Sequence, residues 1–189
     1  TNMKVELLTP VIAKGQPNEA LVNLSDALKK IRNLAPEGDV SAEIMRRLAD
    51  VYFSLGEIEK ASRAVEEGVD IAGRCGEFYE IGYFYRTQAL CRLRTGDIDG
   101  AIESFAKSVE NFDTHGNPFE KFRSQQRLAR VYLRKRTQES LLKAKHILNE
   151  TVTGFGGLEE SAEQTLSQVL LAAVEEKLGN LDDALLATY

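Results

Sequence analysis

The chain has 189 residues, of which 43% are hydrophobic and 28% are charged, and its net charge is −5. This composition is typical of a folded protein and excludes a disordered chain; no stretch approaches the roughly 20 apolar residues that a membrane span needs. The acidic balance disfavours a general nucleic-acid binder, because neutralising phosphates requires a basic surface. Since the first residues show no secretion signal, the sequence predicts a cytoplasmic protein.

Internal repetition is the strongest pattern in the chain. The fourth copy in chain order is degenerate. It lies before the last copy and is displaced by a three-residue insertion near Arg136. The period is about 40 residues, which indicates stacked structural repeats. The marker is a glycine followed five residues later by an alanine, at Gly15/Ala20, Gly56/Ala61, Gly96/Ala101 and Gly179/Ala184.

Each period predicts two helices. Between Val40 and Leu55 apolar residues recur at three- and four-residue steps, which places them on one helical face. A second such run follows from Ile58, and Gly56 between them is predicted to end the first helix in a left-handed conformation. The turn-rich segments expected between pairs are 35–39, 73–76, 114–118 and 154–157. The predicted pairs, forming one domain over 1–189, are about 3–34, 40–73, 77–112, 118–153 and 159–189.

The clearest predicted helix start is at Asn117. Asn117 can cap the helix, Pro118 suits its first turn, and Glu120 can reach back to the cap. Among the neighbouring aromatic residues Tyr83, Phe84 and Tyr85, helical geometry predicts that at least one is core, with Tyr83 reaching a surface.

The repeat resembles the tetratricopeptide repeat family. The resemblance implies an all-α, right-handed solenoid of antiparallel helix pairs, with four to five repeats. A period near 40, longer than the family's usual 34 or so, is similar to the repeats of bacterial transcription activators and signalling regulators. In this family a small residue, here Ala49, Ala89, Ala129 or Ala172, lets the first helix of a pair lie close to the second. The matching residues are Leu48, Ala49, Tyr52, Gly56, Ile58, Ala61 and Val65, with the second half recurring at Gly96, Ile98, Ala101 and Phe105.

The resemblance also implies a concave surface, lined by the first helix of each pair, that holds a segment of a partner protein. The positions facing this surface carry many arginines and no lysine, and guanidinium groups form forked hydrogen bonds with carboxylates. We therefore expect an acidic peptide or helix as the partner. The alternative is that these arginines pair with glutamates on neighbouring helices, and both interpretations stay open here. The predicted partner-binding residues are Arg46, Arg47, Tyr83, Arg86, Arg94, Arg123, Arg127, Arg130 and Arg134.

Other chemistry has little support in the sequence. His115 and His146 have no histidine or cysteine at metal-ligand spacing, and the glycine-rich run 154–157 lacks the lysine of a phosphate-binding loop. Cys75 and Cys91 are not closely spaced, so we expect reduced, structural thiols. The sequence predicts no catalytic residue, no metal site and no cofactor.

Three functional hypotheses follow, led by a protein-binding scaffold. The second is the sensor region of a larger bacterial transcriptional or signalling regulator, and the third is a nucleic-acid-binding solenoid, which the net charge disfavours. The chain stops about two turns into an amphipathic segment, which predicts a fragment of a longer protein. Leu185 and Leu186 in that segment form the basis of a homodimer hypothesis.

Overall fold

The computed structural model describes residues 17–35 and 38–186, with side chains up to residue 179. Within these ranges the secondary structure consists of eight α-helices and no strand, which confirms the all-α prediction. The helices are α1 (Pro17–Leu34), α2 (Asp39–Ser54), α3 (Ile58–Cys75), α4 (Phe78–Arg94), α5 (Ile98–Thr114), α6 (Pro118–Lys135), α7 (Gln138–Gly157) and α8 (Ser161–Leu186).

The chain divides into two compact units, Thr1–Asp97 and Ile98–Tyr189. Unit 1 contains α1 to α4 and unit 2 contains α5 to α8. Within each unit every helix packs against the next one, and alternate helices also meet, α2 with α4 and α6 with α8. We call α2, α4, α6 and α8 the A helices, and α1, α3, α5 and α7 the B helices.

Left-handed residues end the A helices at equivalent positions. Gly56 and Gly96 have φ angles of +79° and +85°, which confirms the prediction made for Gly56. In the degenerate repeat Arg136 takes this place with a φ of +55°, at a cost of roughly 1–2 kcal/mol relative to glycine. The insertion allows the next helix to start well, because Thr137 and Ser140 cap it reciprocally.

Small residues allow A and B helices to pack closely in each unit. Ala49 and Ala61 are fully buried in unit 1, as are Ala129 and Ala144 in unit 2. A methyl side chain at these positions lets two helix axes approach towards the short end of the usual separation. Phe84 is completely buried, which confirms that one aromatic residue of the 83–85 cluster belongs to the core.

The sequence predicted a connection between helices at the glycine-rich run 154–157. This prediction is wrong, because the run forms the last turn of α7. A Cβ atom on Gly154 would lie 2.2 Å from the Phe122 ring, so the glycine is needed for packing against α6. The predicted start of α6 is confirmed, since the Asn117 side chain accepts a hydrogen bond from the Glu120 amide at 3.1 Å and Pro118 is the first helical residue.

The last repeat differs from its prediction. No turn occurs at Gly179, and α8 continues through it to Leu186. One glycine inside a helix costs only about 1 kcal/mol, and the residues Glu175 to Leu178 that precede this one are good helix formers. Up to Leu186, where the description ends, no second helix folds back onto α8, and Ala172 is exposed, unlike its counterpart Ala49. The predictions that involve residues 1–16, 36 and 37, and those on the side chains of Leu185 and Leu186, lie outside the described residues.

Over the described part of the chain, the structure contains no helix with the length and apolar character that crossing a membrane requires.

Candidate interaction surfaces on the A helices

The A helices of unit 1 meet through polar side chains. Arg46 on α2 forms an ion pair with Glu80 on α4, and the two side chains are only 16% and 17% exposed. Arg46 also lies 3.7 Å from Asp50, one turn along its own helix. Asp50 in turn accepts a 2.6 Å hydrogen bond from the Thr87 hydroxyl of α4. This network fixes the register between the two A helices.

Aromatic rings support three of the unit 1 arginines. The guanidinium carbon of Arg46 lies 4.8 Å from the centre of the Tyr83 ring, and that of Arg86 lies 5.3 Å from it. Arg94 lies 5.9 Å from the Phe53 ring in the same way. Such cation–π contacts contribute about 0.5–1 kcal/mol at exposed sites and more where water is excluded. Tyr83 is half-buried by these contacts.

The Arg46–Glu80 pair is held at a cost in desolvation. Burial alone would lower the pKa of Arg46, but the carboxylates of Glu80 and Asp50 outweigh it and raise that pKa. For Glu80, burial is the larger effect and raises the pKa of the carboxyl group, although the Arg46 guanidinium opposes this. An acidic ligand would therefore have to compete with carboxylates already in place.

Arg47 also has a carboxylate partner, since its guanidinium donates to Glu43 at 3.1 Å. Arg46 and Arg47 thus follow the internal-pairing interpretation. On the surface made by α2 and α4, carboxylates pair with Arg46 and Arg47, whereas Arg86 and Arg94 contact aromatic rings.

Helix α6 of unit 2 presents a more basic surface. The residues Arg123, Arg127, Arg130 and Arg134 are spaced four, three and four apart on α6, so they share one face. Arg123 lies 3.6 Å from both Glu120 and Glu163, and 5.6 Å from the Phe119 ring. Arg127 is half-buried. Arg130 and Arg134 are exposed, and neither forms an ion pair with any residue in the described ranges.

The sequence analysis gave glutamates on neighbouring helices as alternative partners of the arginines but did not identify which glutamates. Glu80, Glu120 and Glu163 lie in the first turn of α4, α6 and α8, and they are 40 and 43 residues apart, like the repeat alanines. Each contacts an arginine: Glu80 contacts Arg46, and the other two contact Arg123. The repeat period was the signal that could have identified this acidic position.

Comparison with known proteins identifies the repeat. The family profile described as "Tetratricopeptide repeat" matches residues 42–75, which span α2 and α3. The chain contains a tetratricopeptide repeat. A search of curated proteins finds no match.

Solved tetratricopeptide-type structures share the fold over nearly the whole chain. One, described as a kinesin light chain with nearly identical tetratricopeptide-like repeats from Podosopora anserina, has a TM-score of 0.75 and 20% identity, covering 97% of this chain and 88% of its own. Another is a signal transduction ATPase with a tetratricopeptide repeat sensor from Pyrococcus horikoshii, with a TM-score of 0.80 and 20% identity, covering 93% and 26%. A Rap protein complexed with competence and sporulation factor has a TM-score of 0.65 and 15% identity, covering 94% and 64%. These likenesses assign the fold class, an all-α repeat of the solenoid type.

Proposed function

We propose that the chain is a protein-interaction module and that α6 of unit 2 binds an acidic segment of a partner protein. The observation that carries this proposal is the exposure of Arg130 and Arg134, which have no ion pair with a described residue. Guanidinium groups in this state bind carboxylates by forked hydrogen bonds without first losing an internal partner.

Unit 1 is the weaker candidate for the same ligand. Arg46 and Arg47 already contact carboxylates, and the rings of Tyr83 and Phe53 lie close to the guanidiniums of Arg86 and Arg94. At Arg46 and Arg47 a ligand gains little, because each new ion pair replaces an old one. The partner-binding role predicted for the residues of unit 1 stays a prediction.

The first test measures binding of a labelled glutamate-rich peptide by fluorescence anisotropy, with a glutamine-rich peptide of equal length as control. Two charge-assisted hydrogen bonds contribute about 1.5–3 kcal/mol each, so the combined Arg130→Glu and Arg134→Glu variant should bind at least about tenfold more weakly. The glutamine-rich peptide should bind neither protein.

A matched control separates this surface from net charge. Lys107 and Lys143 lie on the B helices of unit 2, and each pairs with a glutamate four residues earlier, at 2.7 and 2.6 Å. The combined Lys107→Glu and Lys143→Glu variant changes the net charge equally and should keep its affinity. An equal loss in both double variants would contradict a site on α6. RNA that bound under the same conditions, with a steep salt dependence, would favour the nucleic-acid hypothesis instead.

A second proposal is that the module acts as the sensor region of a larger regulator. The likeness in fold to the signal transduction ATPase that carries a tetratricopeptide repeat sensor supports it. A sensor must transmit binding beyond the contact surface, so the acidic peptide should slow amide hydrogen exchange in helices other than α6 and α8. Protection confined to these two helices would indicate a passive scaffold.

A further inference from the structure

Helix α8 continues the arginine face of α6 with apolar residues. Glu120 and Glu163 show that equivalent positions on the two helices are 43 residues apart. At the positions equivalent to the first three arginines of α6, α8 carries uncharged residues, and at the fourth it carries a lysine. In chain order these α8 residues are Leu166, Leu170, Ala173 and Lys177. We call the first three of them the apolar stripe.

The apolar stripe borders the arginines within unit 2. Arg123 Nε lies 3.6 Å from Glu163 Oε1, and Gln126 Nε2 donates to Ser167 Oγ at 2.8 Å, so α6 and α8 are in direct contact. Leu166 follows Glu163 by three residues, which places it on the side of α8 whose carboxylate contacts Arg123. An arginine face and an apolar face therefore lie next to each other.

The stripe exposes apolar surface to solvent. Leu166 is 41% exposed, and Val169 at the edge of the stripe is 61% exposed. Leu170 and Ala173 are half-buried. Single exposed leucines are common on proteins, but apolar residues at three- and four-residue steps form a continuous patch on a helix. Removing this patch from water is favourable, so it suits the apolar side of a partner.

The equivalent positions on the first A helix are charged instead. They are Glu43, Arg47 and Asp50 of α2. Glu43 and Arg47 pair with each other at 3.1 Å, and Asp50 accepts a hydrogen bond from Thr87. The apolar stripe is therefore a property of α8 and not of the repeat in general.

The spacing of both faces matches an α-helix laid along them. The arginines and the stripe residues recur every three or four residues, which is about one turn of 5.4 Å. Two packed helix axes are about 8–10 Å apart, and a helix with its side chains is about 10 Å wide, so one partner helix contacts both faces at once. An extended segment turns successive side chains to opposite sides and does not present two adjacent faces.

We propose that the acidic segment bound by unit 2 is an amphipathic helix of a partner protein, with its carboxylates on Arg130 and Arg134 and its apolar side chains on the apolar stripe. This rests on the proposed function, because it takes the arginines of α6 as the acidic site. It adds the conformation of the partner and a second contact surface. Charge complementarity directs the acidic face of the partner helix to α6 and leaves its apolar face for α8.

The first experiment compares three labelled peptides by fluorescence anisotropy. One forms a helix of about 14 residues, with glutamates on one face and leucines on the adjacent face. The second has the same composition in scrambled order, and the third carries a central proline, which breaks the helix. The first should bind at least about tenfold more tightly than either of the others. Equal affinity for the scrambled peptide or for the proline peptide would overturn the proposal.

A variant on α8 tests the stripe directly. Leu166→Ser should weaken binding of the amphipathic helix about fivefold and leave binding of the glutamate-rich peptide unchanged. Leu166→Met keeps an apolar side chain of similar volume and should retain both affinities. Leu142→Ser is the matched control, because Leu142 is 54% exposed on the B helix α7, and it should change neither affinity. Equal melting temperatures will verify that the variants fold.

The two proposals fail in different ways. If the glutamate-rich peptide and the amphipathic helix both bind without depending on Arg130 and Arg134, the proposed function is wrong. If the glutamate-rich peptide depends on both arginines while Leu166→Ser binds the amphipathic helix as tightly as the unaltered chain does, the acidic site stands and the amphipathic partner is overturned.

Discussion

Units 1 and 2 pack successive repeats differently at the same position. In unit 1, Gly68 of α3 lies against Phe84 of α4, and a Cβ on this glycine would be only 2.1 Å from the ring. In unit 2, the equivalent residues 40 positions later are Ser108 and Ser124, whose hydroxyl oxygens are 2.9 Å apart.

The next repeat of unit 2 also has a hydrogen bond between two hydroxyl groups at this position. Thr151 and Ser167 lie 43 residues after the serines, and their hydroxyl oxygens are also 2.9 Å apart. Ser167 further accepts a 2.8 Å hydrogen bond from the Gln126 amide. One position in the repeat is thus filled by an aromatic ring in a glycine notch in unit 1 and by hydrogen-bonded hydroxyls in unit 2. The contact in unit 1 is stabilised by the burial of apolar area, and the contact in unit 2 by hydrogen bonds between buried polar groups.

The largest expected effect comes from removing the ring in unit 1. Phe84→Ala leaves a cavity beside Gly68, which has no side chain to fill it, so the free energy of unfolding should fall by about 3–5 kcal/mol. Chemical denaturation measures this. Phe78→Ala is the matched control on the same helix, because Phe78 is 45% exposed and should cost less than about 1 kcal/mol. Similar losses in both variants would contradict the notch.

Introducing the phenylalanine–glycine contact of unit 1 into unit 2 tests whether Ser124 and Ser108 are equivalent to Phe84 and Gly68. Ser124→Phe places a ring against the Ser108 side chain and should destabilise by about 3 kcal/mol through overpacking. Adding Ser108→Gly recreates the notch and should recover part of this loss in denaturation experiments. If the double variant is no more stable than Ser124→Phe alone, the two interfaces differ in more than these side chains.

The close contact between Gly68 and Phe84 predicts that replacement by alanine changes the stability in opposite directions at two glycines of α3. Gly68→Ala puts a methyl group into the Phe84 ring and should cost about 2 kcal/mol. A methyl group on Gly73 would meet no atom within 4 Å, so Gly73→Ala should stabilise the helix by up to about 1 kcal/mol. Thermal unfolding of the two variants gives the comparison. A stabilising Gly68→Ala would mean that Phe84 moves aside easily.

The sequence predicted the repeat architecture well because its signals are local and recur. The 40-residue period and the apolar spacing predicted the helices, and the left-handed Gly56 was evident from its place between two apolar runs. Local signals failed at Gly154 and Gly179, where packing against Phe122 or a continuing helix overrides a turn-forming residue. Whether a glycine ends a helix or lies inside it depends on the packing around that helix.

The candidate surface was only partly predictable for a different reason. The sequence analysis assigned both Arg130 and Arg46 to the predicted concave surface of the A helices, yet Arg130 is exposed and Arg46 is paired. The partner of Arg46 is Glu80, 34 residues away on another helix. Such pairs depend on how two A helices are rotated against each other, which apolar periodicity does not determine.

The smallest expected effect, and the sharpest difference between the units, lies in the Ser108–Ser124 pair. Both serines are fully buried, so Ser108→Ala or Ser124→Ala alone deprives the remaining hydroxyl of this partner and should cost about 1–2 kcal/mol. The double variant removes both hydroxyls and should cost less than the sum of the two single variants, giving a coupling of at least about 0.5 kcal/mol in a double-mutant cycle. In unit 1 no such coupling is available, because Gly68 and Phe84 exchange no hydrogen bond through their side chains. Strict additivity of the serine variants would show that the short distance between the hydroxyls contributes nothing, and that unit 2, like unit 1, is held at this position by packing alone.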